Sequence, residues 1–521
     1  MKKVLHHPII QSIASALLLY LAWPPSSVNT LLPIAYVPVF IAVYNQPSAK
    51  DAFKVFYVSF MCFLLLVHWP LFIEGFRLGA LIFGLFIVPV FWSVPVTISF
   101  WISKKKGLET GLIILPFLFV SQEVVQYYWD FSFTWVNLGL GFSDSVWLMG
   151  AYKLIGPEGG AFLIISCNCS LFYVYSRLKD KKNIGFIHCT PVLMVLFLLL
   201  FPNFFRQDSN GKAVRVAIFQ PTTAQYSEMK DNLKKQTEFF ANSISVLPPN
   251  SVDLIVGPES YFLEMKKSPL FVNNLNKHPA IERLKELSAF HNAPILSGAI
   301  LVHLLRGNET PTASAKFRKP GQYYDIYNGS IFITPHGNVE WRTKQSLLPF
   351  AEKTPFYRVF NYLNSKGFWP YRFDDTYGTV PFDGTYNFEG LRISAPICYE
   401  GVFPNVVSEY LDTSANLLVV LSNDWSGSEN MLEMQRSYTN VLYNSFGKPV
   451  ILAAMNGGSS VSANDVIPNI SEEPLEVVEV ALNNDLTVYS KIAGLQFCWL
   501  ILSLVVIIAI LILARLHKIN F

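Results

Sequence analysis

Apolar runs of bilayer-crossing character crowd the first two hundred residues, and they restrict this chain more than anything else in it. The candidate spans are Ile9–Trp23, Leu31–Tyr44, Val55–Ile73, Leu78–Ile102, Leu108–Trp129, Gly159–Ser176 and Phe186–Phe201, with Leu495–Ala514 at the far end, about eight in all. Backbone polar groups find no water in hydrocarbon, so such runs must be helical. Lys2 and Lys3 before the first run resemble a signal peptide, but further spans follow at once, which predicts a retained helix. Composition agrees: 51% of the 521 residues are hydrophobic and 15% charged, too apolar for an ordinary soluble protein of this length.

The placement of basic residues sets sides. With the N-terminus cytoplasmic, Lys2/Lys3, Lys50/Lys54, Lys104–Lys106, Arg177/Lys179/Lys181/Lys182 and Arg515/Lys518 all share one side. The alternate connections hold few cations, a positive-inside pattern. It predicts N-terminal transmembrane helices over 1–204, an external domain over 205–492 (periplasmic in a diderm bacterium), and a C-terminal helix with a short cytoplasmic tail over 493–521. A net charge of +3 gives no reason to expect a nucleic-acid partner. The nine histidines are scattered without paired metal-ligand spacing, and no phosphate loop or dinucleotide fingerprint is present, so no cofactor or metal is expected.

In the membrane part, Glu123 lies inside its span near the outer end, an intramembrane carboxylate that is either functional or simply within reach of headgroup water. The connection from Asp130 to Glu158 carries Trp129, Phe131, Phe133, Trp135, Phe142 and Trp147 at or within it, an interfacial aromatic belt or a wall guiding lipid. Past Asn203 the pattern turns globular. Ala213–Phe219, Asp253–Val256, Ile295–Ala299, Leu417–Leu421 and Val450–Ala454 read as strands. Glu228–Val246, Ile281–His291, Asn405–Leu411 and Met431–Tyr443 read as helices between them. Tyr327-Asn328-Gly329-Ser330 and His336-Gly337-Asn338 read as hairpin turns. The alternation suits sheets layered under helices.

Cys398 is the one cysteine of the external region, with no partner there for a disulfide. An oxidising compartment makes an idle exposed thiol a liability, so a retained one suggests use, although a small buried apolar residue would look the same. It ends the stretch L-R-I-S-A-P-I-C-Y-E-G-V over Leu391–Val402, a buried strand running to a turn that Gly401 can take. Glu400 stands two positions on, near that sulfur or placed to accept backbone N–H groups. Two other polar residues follow hydrophobic strands in the same way, Glu259 after D-L-I-V-G-P and Lys344 after V-E-W-R-T. A thiol needs a base, which a carboxylate in a dry pocket supplies, and an ammonium can hold the oxyanion of a tetrahedral intermediate.

The segments G-P-E-S (257–260), K-Q-S-L-L-P-F-A-E (344–352) and I-C-Y-E (397–400), in this order and spacing, resemble the Glu-Lys-Cys triad of the nitrilase, or carbon–nitrogen hydrolase, superfamily. With several spans before the domain and one after it, the whole chain is similar to the apolipoprotein N-acyltransferase family. Gln220, Ser422-Asn423-Asp424 with Trp425, Glu123, Phe133-x-Trp135 and Gly156-x-Glu158 share in the likeness. The resemblance implies a multi-pass helical membrane domain and an external α/β domain folded as a nitrilase-like αββα sandwich. It implies Glu259 as general base and acid, Lys344 as oxyanion stabiliser and Cys398 as nucleophile, with Glu352 and Glu400 supporting them and Tyr399 offering a backbone N–H. The implied reaction passes an acyl chain from a phospholipid, through a Cys398 thioester, to the α-amino group of a diacylglyceryl-cysteine on an apolipoprotein, in the inner membrane of a bacterium and by a monomer. Three departures bear on the acyl pocket: Gly257 replaces a Trp, the Asn-Asp-x-Trp-Phe-Gly loop is shortened to Asn423–Gly427, and no Arg-Ala-x-Glu motif occurs in Val441–Ser445.

Topology supports the same reaction. One helix would tether a soluble amidase, whereas two membrane-embedded substrates reward a platform that keeps their tails out of water, at about 0.8 kcal/mol per methylene. A lid excluding water is expected around Phe356–Phe373. The alternatives are a membrane-tethered amidase or nitrilase acting on a small soluble substrate, and a non-enzymatic transporter or scaffold, against which the spans carry few ionisable residues.

Overall fold

The computed structural model describes residues 7–517 apart from 27, 74–81, 201–210, 308, 311, 313, 368–375, 382–383, 412–413, 424–428 and 464–473. The chain divides into two units, Met1–Arg206 with Thr487–Phe521, and Gln207–Leu486.

The first unit is helical. Among the described residues, five helices are long and apolar enough to cross a membrane: Ala49–Trp69, Gly84–Lys106, Leu108–Gln126, Leu148–Lys179 and Val488–Leu513. The remaining expected spans are shorter. Pro8–Ala22 has 15 residues and Thr190–Leu200 has 11, while the expected span at Leu31–Tyr44 breaks into Leu32–Ala35 and Val37–Tyr44. Pro38, in the first turn of the second piece, lacks the N–H that would continue the helix from the first piece and forces that break. The polar groups it frees are recaptured by buried Asn168, which accepts from Tyr36 N at 2.8 Å and donates to Leu32 O at 2.8 Å.

Glu123 is buried rather than within reach of headgroup water, and its Oε1 accepts the Leu138 backbone N–H, fixing the turn after its helix. Gly156 interrupts the long helix over Tyr152–Lys179 at φ 63°. The Tyr489 ring occupies the space a Cβ there would need, 2.0 Å away, and its hydroxyl donates to Glu158 Oε2 at 2.8 Å. Only glycine permits both the turn and the approach.

The second unit is a two-sheet sandwich. Strands β1 (Ala213–Phe219), β2 (Leu254–Val256), β3 (Leu270–Phe271), β4 (Ile295–Leu304), β5 (Lys316–Lys319), β6 (Gln322–Ile333), β7 (Val339–Thr343), β8 (Tyr386–Phe388), β9 (Leu391–Ser394), β10 (Leu417–Leu421), β11 (Val450–Ala453), β12 (Ser460–Ser462) and β13 (Leu475–Ala481) follow in chain order. One sheet runs β13-β1-β2-β4-β6-β5, with β3 beside β4 and β7 beside β6, and the other runs β12-β11-β10-β9-β8. The period of two along each strand divides the cores. Val216 and Ile218 of β1 point between the sheets, where they meet Ile393, Leu417, Val419 and Ile451. Ala217 and Phe219 point the other way, against Phe240, Ile244 and Leu284 of the covering helices Leu233–Ile244 and Pro279–His291. Glu429–Phe446 packs against β11 and β12 of the other sheet, so the layers are helix, sheet, sheet, helix, the αββα arrangement expected.

Two expected elements differ. The helix expected over Glu228–Val246 is two helices, Thr223–Met229 and Leu233–Ile244. Thr222 and Asn232 cap them separately, and Asp231 turns the chain between them at φ 55°. Asn328-Gly329 does not turn a hairpin but lies inside β6. The hairpin is at His336–Asn338, where Gly337 takes φ 81° and Thr334 N donates to Asn338 O.

Candidate active site

Glu259, Lys344 and Cys398 stand just past β2, β7 and β9, so the site draws on both sheets. Lys344 is 2% exposed, and its ammonium donates to Glu259 Oε1 at 3.1 Å and to Glu352 Oε1 at 2.9 Å. The Asn328 amide donates to the same two oxygens, at 2.7 Å and 2.9 Å. Lys344 N also donates to Asn328 O at 2.8 Å, which ties β6 to the lysine's backbone. The other oxygens are held as well: Glu259 Oε2 accepts Asn423 N at 3.0 Å and Glu352 Oε2 accepts Leu348 N at 2.8 Å. Burial works against the Lys344 charge, but the two carboxylates outweigh it and hold the ammonium well above its ordinary range, helped by the nearby Cys398 sulfur. Lys344 therefore stays a cation at any working pH.

Gly298 and Gly329 make these approaches possible. A Cβ on Gly298 would stand 2.4 Å from Glu259 Cα, and one on Gly329 would stand 2.4 Å from Arg342 O on β7. Gly257 has a comparable cause. Its Cβ would meet Ser297 Oγ at 2.5 Å, so a tryptophan has no room there in this packing.

The turn after β9 is made by Cys398 itself, at φ 48°, and not by Gly401, whose φ is not left-handed. A non-glycine residue there costs on the order of 1–3 kcal/mol and persists only when its surroundings impose it. Glu400 is what imposes it. Fully buried, its carboxylate accepts Ile397 N at 2.7 Å, Ser346 N at 3.0 Å, Gln345 N, and the Tyr410 hydroxyl at 2.9 Å and 3.0 Å. It thus clamps the Cys398 turn to the segment that follows Lys344, and of the two expected places for Glu400 the structure has the backbone N–H groups. Burial pushes its carboxyl up to about 7, against the pull of those N–H groups and of Lys344. Tyr399 is buried next to Cys398, its ring edge-on to Phe403 at 4.8 Å. Gln435 donates to Ser422 Oγ at 2.6 Å and to Cys398 Sγ at 3.9 Å.

Three contributors were not singled out from sequence: Asn328, Tyr410 and Gln435. Asn328 carries a usable signal, a polar residue beside glycine in an otherwise β-rich run, but the same Asn-Gly pair also reads as a turn. Gln220 is buried after β1, its N donating to Pro474 O at 2.9 Å. Residues 424–427 of the shortened loop, and 368–373 of the segment expected to form a lid, lie outside the described residues. Of that segment, Tyr357–Ser365 is a helix. A cavity of about 330 Å³ in this unit contains no triad residue, being lined by Lys212, Arg215, Asp253, Arg392 and Asn416 at the opposite strand ends.

Residues 215–487, more than half of the chain, match the carbon-nitrogen hydrolase family, and the chain belongs to it. Residues 15–170 match the apolipoprotein N-acyltransferase N-terminal domain. Within the nitrilase superfamily this pairing, together with the long apolar helices, makes the chain a multi-pass membrane enzyme of the apolipoprotein N-acyltransferase family. An apolipoprotein N-acyltransferase of Chlorobaculum tepidum is 23% identical over 451 residues, covering 82% of this chain and 81% of its own. One of Geobacter metallireducens is 22% identical over 474 residues, covering 87% and 84%. Among solved structures, a CN-hydrolase superfamily protein of Xanthomonas campestris with an arsenic adduct in its active site matches 56% of this chain and 97% of its own, at 14% identity and a TM-score of 0.34.

Proposed function

We propose that this chain transfers an acyl chain from a phospholipid to the α-amino group of the N-terminal diacylglyceryl-cysteine of an apolipoprotein. Cys398 attacks the phospholipid ester carbonyl while Glu259 takes the thiol proton. Lys344 and the Tyr399 backbone N–H hold the oxyanion, and Glu259 returns the proton to the leaving lysophospholipid. The thioester left on Cys398 is then attacked by the acceptor amine, whose proton passes through Glu259 as the thiolate departs. Glu352 keeps Lys344 oriented and Glu400 keeps the nucleophile's turn in place. The names of the relatives support the substrates. The positive-inside pattern supports a bacterial inner membrane with the catalytic domain, 205–492, facing the periplasm between helices at 1–204 and 493–521.

The observation that carries this reading is the buried Glu259–Lys344–Glu352 cluster beside Cys398, in a chain with several membrane-length helices. It is tested by intact mass of the purified protein after exposure to phospholipid vesicles. A gain of one acyl chain, absent in Cys398→Ala and discharged by a diacylglyceryl-cysteine peptide, is expected. No gain, with hydrolysis of small amides instead, would replace the reading with a tethered amidase.

A further inference from the structure

The charges around Cys398 do not by themselves favour a thiolate. Lys344 is the cation beside the sulfur, and it is shared between Glu259 and Glu352 at 3.1 Å and 2.9 Å, leaving that cluster one negative charge in excess. Glu400 is buried two residues beyond the nucleophile. A sulfur in such company ionises more readily if a neutral donor faces it, since a donor of that kind stabilises the thiolate without weakening Glu259 as a base.

The Gln435 side chain is such a donor. Its amide nitrogen carries two hydrogens and lies 2.6 Å from Ser422 Oγ and 3.9 Å from Cys398 Sγ, so the one group can donate to both. The amide is fixed in that pose. Gln435 is 6% exposed on the helix Glu429–Phe446, and its anchor Ser422 directly follows β10, with N donating to Ala453 O at 2.8 Å and O accepting Glu259 N at 3.3 Å. One residue pair therefore links the nucleophile, the backbone of the base and the helix that covers them.

We propose that Gln435 is a catalytic residue that hydrogen-bonds the Cys398 sulfur in its anionic form, favouring the thiolate both when it attacks and when it leaves. The assignment rests on Cys398 as nucleophile, as argued above. A thioester sulfur accepts hydrogen bonds poorly, so the contact is strongest in the two states where sulfur bears charge, and it assists acylation and aminolysis alike.

The test uses the full-length protein in detergent, with alkylation of Cys398 by iodoacetamide followed across pH by mass of its peptide. The other five cysteines lie outside the Gln207–Leu486 unit and serve as internal references. Gln435→Leu is expected to raise the pH midpoint of Cys398 alkylation by about one unit, a tenfold loss of thiolate near neutral pH. Gln435→Glu keeps the shape, can accept from Ser422, and places a negative charge by the sulfur, so its midpoint rises further. Gln435→Met, which keeps the side-chain length and removes the donor without adding charge, carries the test if the leucine variant does not fold, with the same rise expected. The kcat of acyl transfer falls in step, with KM for phospholipid unchanged. Unshifted midpoints in the folded variants overturn the assignment, whatever happens to turnover. Shifted midpoints in a protein whose wild type forms no acyl-enzyme uphold Gln435 and overturn the lipid reading instead.

Discussion

Replacing Lys344 by methionine separates the ion pairs that lysine makes from the oxyanion role proposed for it. Its ammonium lies 3.1 Å from Glu259 and 2.9 Å from Glu352, in a site where it is 2% exposed. At an effective dielectric constant of about 20 each pair is worth about 5 kcal/mol of attraction, against a desolvation cost of several kcal/mol per ion. Breaking such a pair by removing one partner costs roughly 3–5 kcal/mol, because the buried charge left behind is uncompensated. In Lys344→Met two carboxylates are left sharing the Asn328 amide. Their relief is to hold a proton between them, so the variant should gain stability relative to wild type as pH falls. A protonated Glu259 is no longer a base, and the oxyanion has lost its cation, so acyl-enzyme formation should slow at least about 10²-fold. Adding Glu352→Gln restores the cluster's net charge of −1 without restoring the ammonium. Thermal melting in detergent should therefore recover much of its loss in the double variant, while single-turnover acylation by intact mass stays slow. Acylation of Lys344→Met within about threefold of wild type would refute the oxyanion role, and recovery of rate in the double variant would reduce Lys344 to a structural counter-ion.

Two further outcomes rest on the nucleophile's turn. Cys398→Gly and Cys398→Ala should both abolish acyl-enzyme formation, but glycine accepts φ 48° where alanine is strained. The glycine variant should melt no lower than the alanine variant, against the usual order, and a clearly lower melting temperature would mean the turn is not strained. Glu400, pushed up by burial to about 7, keeps its proton more readily folded than unfolded. Its contribution is fully present below about pH 4.5 and lost as pH rises through about 7, up to about 3 kcal/mol at 1.36 kcal/mol per unit. Glu400→Gln removes that titration, so wild-type and variant melting curves measured from pH 4.5 to 8 should diverge with pH; parallel curves would show that Glu400 is not titrating there.

Some of this arrangement was open to a reader of the sequence and some was not, for physical reasons. Glu259, Lys344 and Cys398 could be picked out because each polar residue follows a hydrophobic strand, and a strand end is where the backbone stops constraining a side chain to one of two faces. Glu352 and Glu400 lay close in sequence to the residues they hold. Asn328 is 69 residues from Glu259 and 24 from Glu352, and Gln435 is 37 from Cys398, so only the pairing of sheets and the packing of a helix bring them in. Asn328-Gly329 shows how a local rule fails. Asn-Gly favours a tight turn, but here the glycine is required because β7 passes so close that Arg342 O leaves no space for a Cβ, and the asparagine is required because two carboxylates need one donor between them. The apolar runs misled in length for a related reason. A short run such as Leu31–Tyr44 can be broken when a neighbour's Asn168 supplies the lost backbone partners, and hydropathy does not see that neighbour.

What the sandwich contributes to the chemistry follows from which strand ends meet. Glu259 stands past β2 of one sheet and Cys398 past β9 of the other, while Lys344, past β7, is bound through its backbone to Asn328 in β6. Neither sheet alone carries both the carboxylate and the thiol of the proposed mechanism. The bonds that cross between them at this end, Glu259 N to Ser422 O, Asn423 N to Glu259, and Gln345 N and Ser346 N to Glu400 among them, therefore also help set the distance from carboxylate to sulfur. A change that lets the sheets slide by an ångström would leave the fold standing and the triad out of register, which is why the cores between them, packed from Val216, Ile218, Ile393 and Val419, bear on rate as well as on stability.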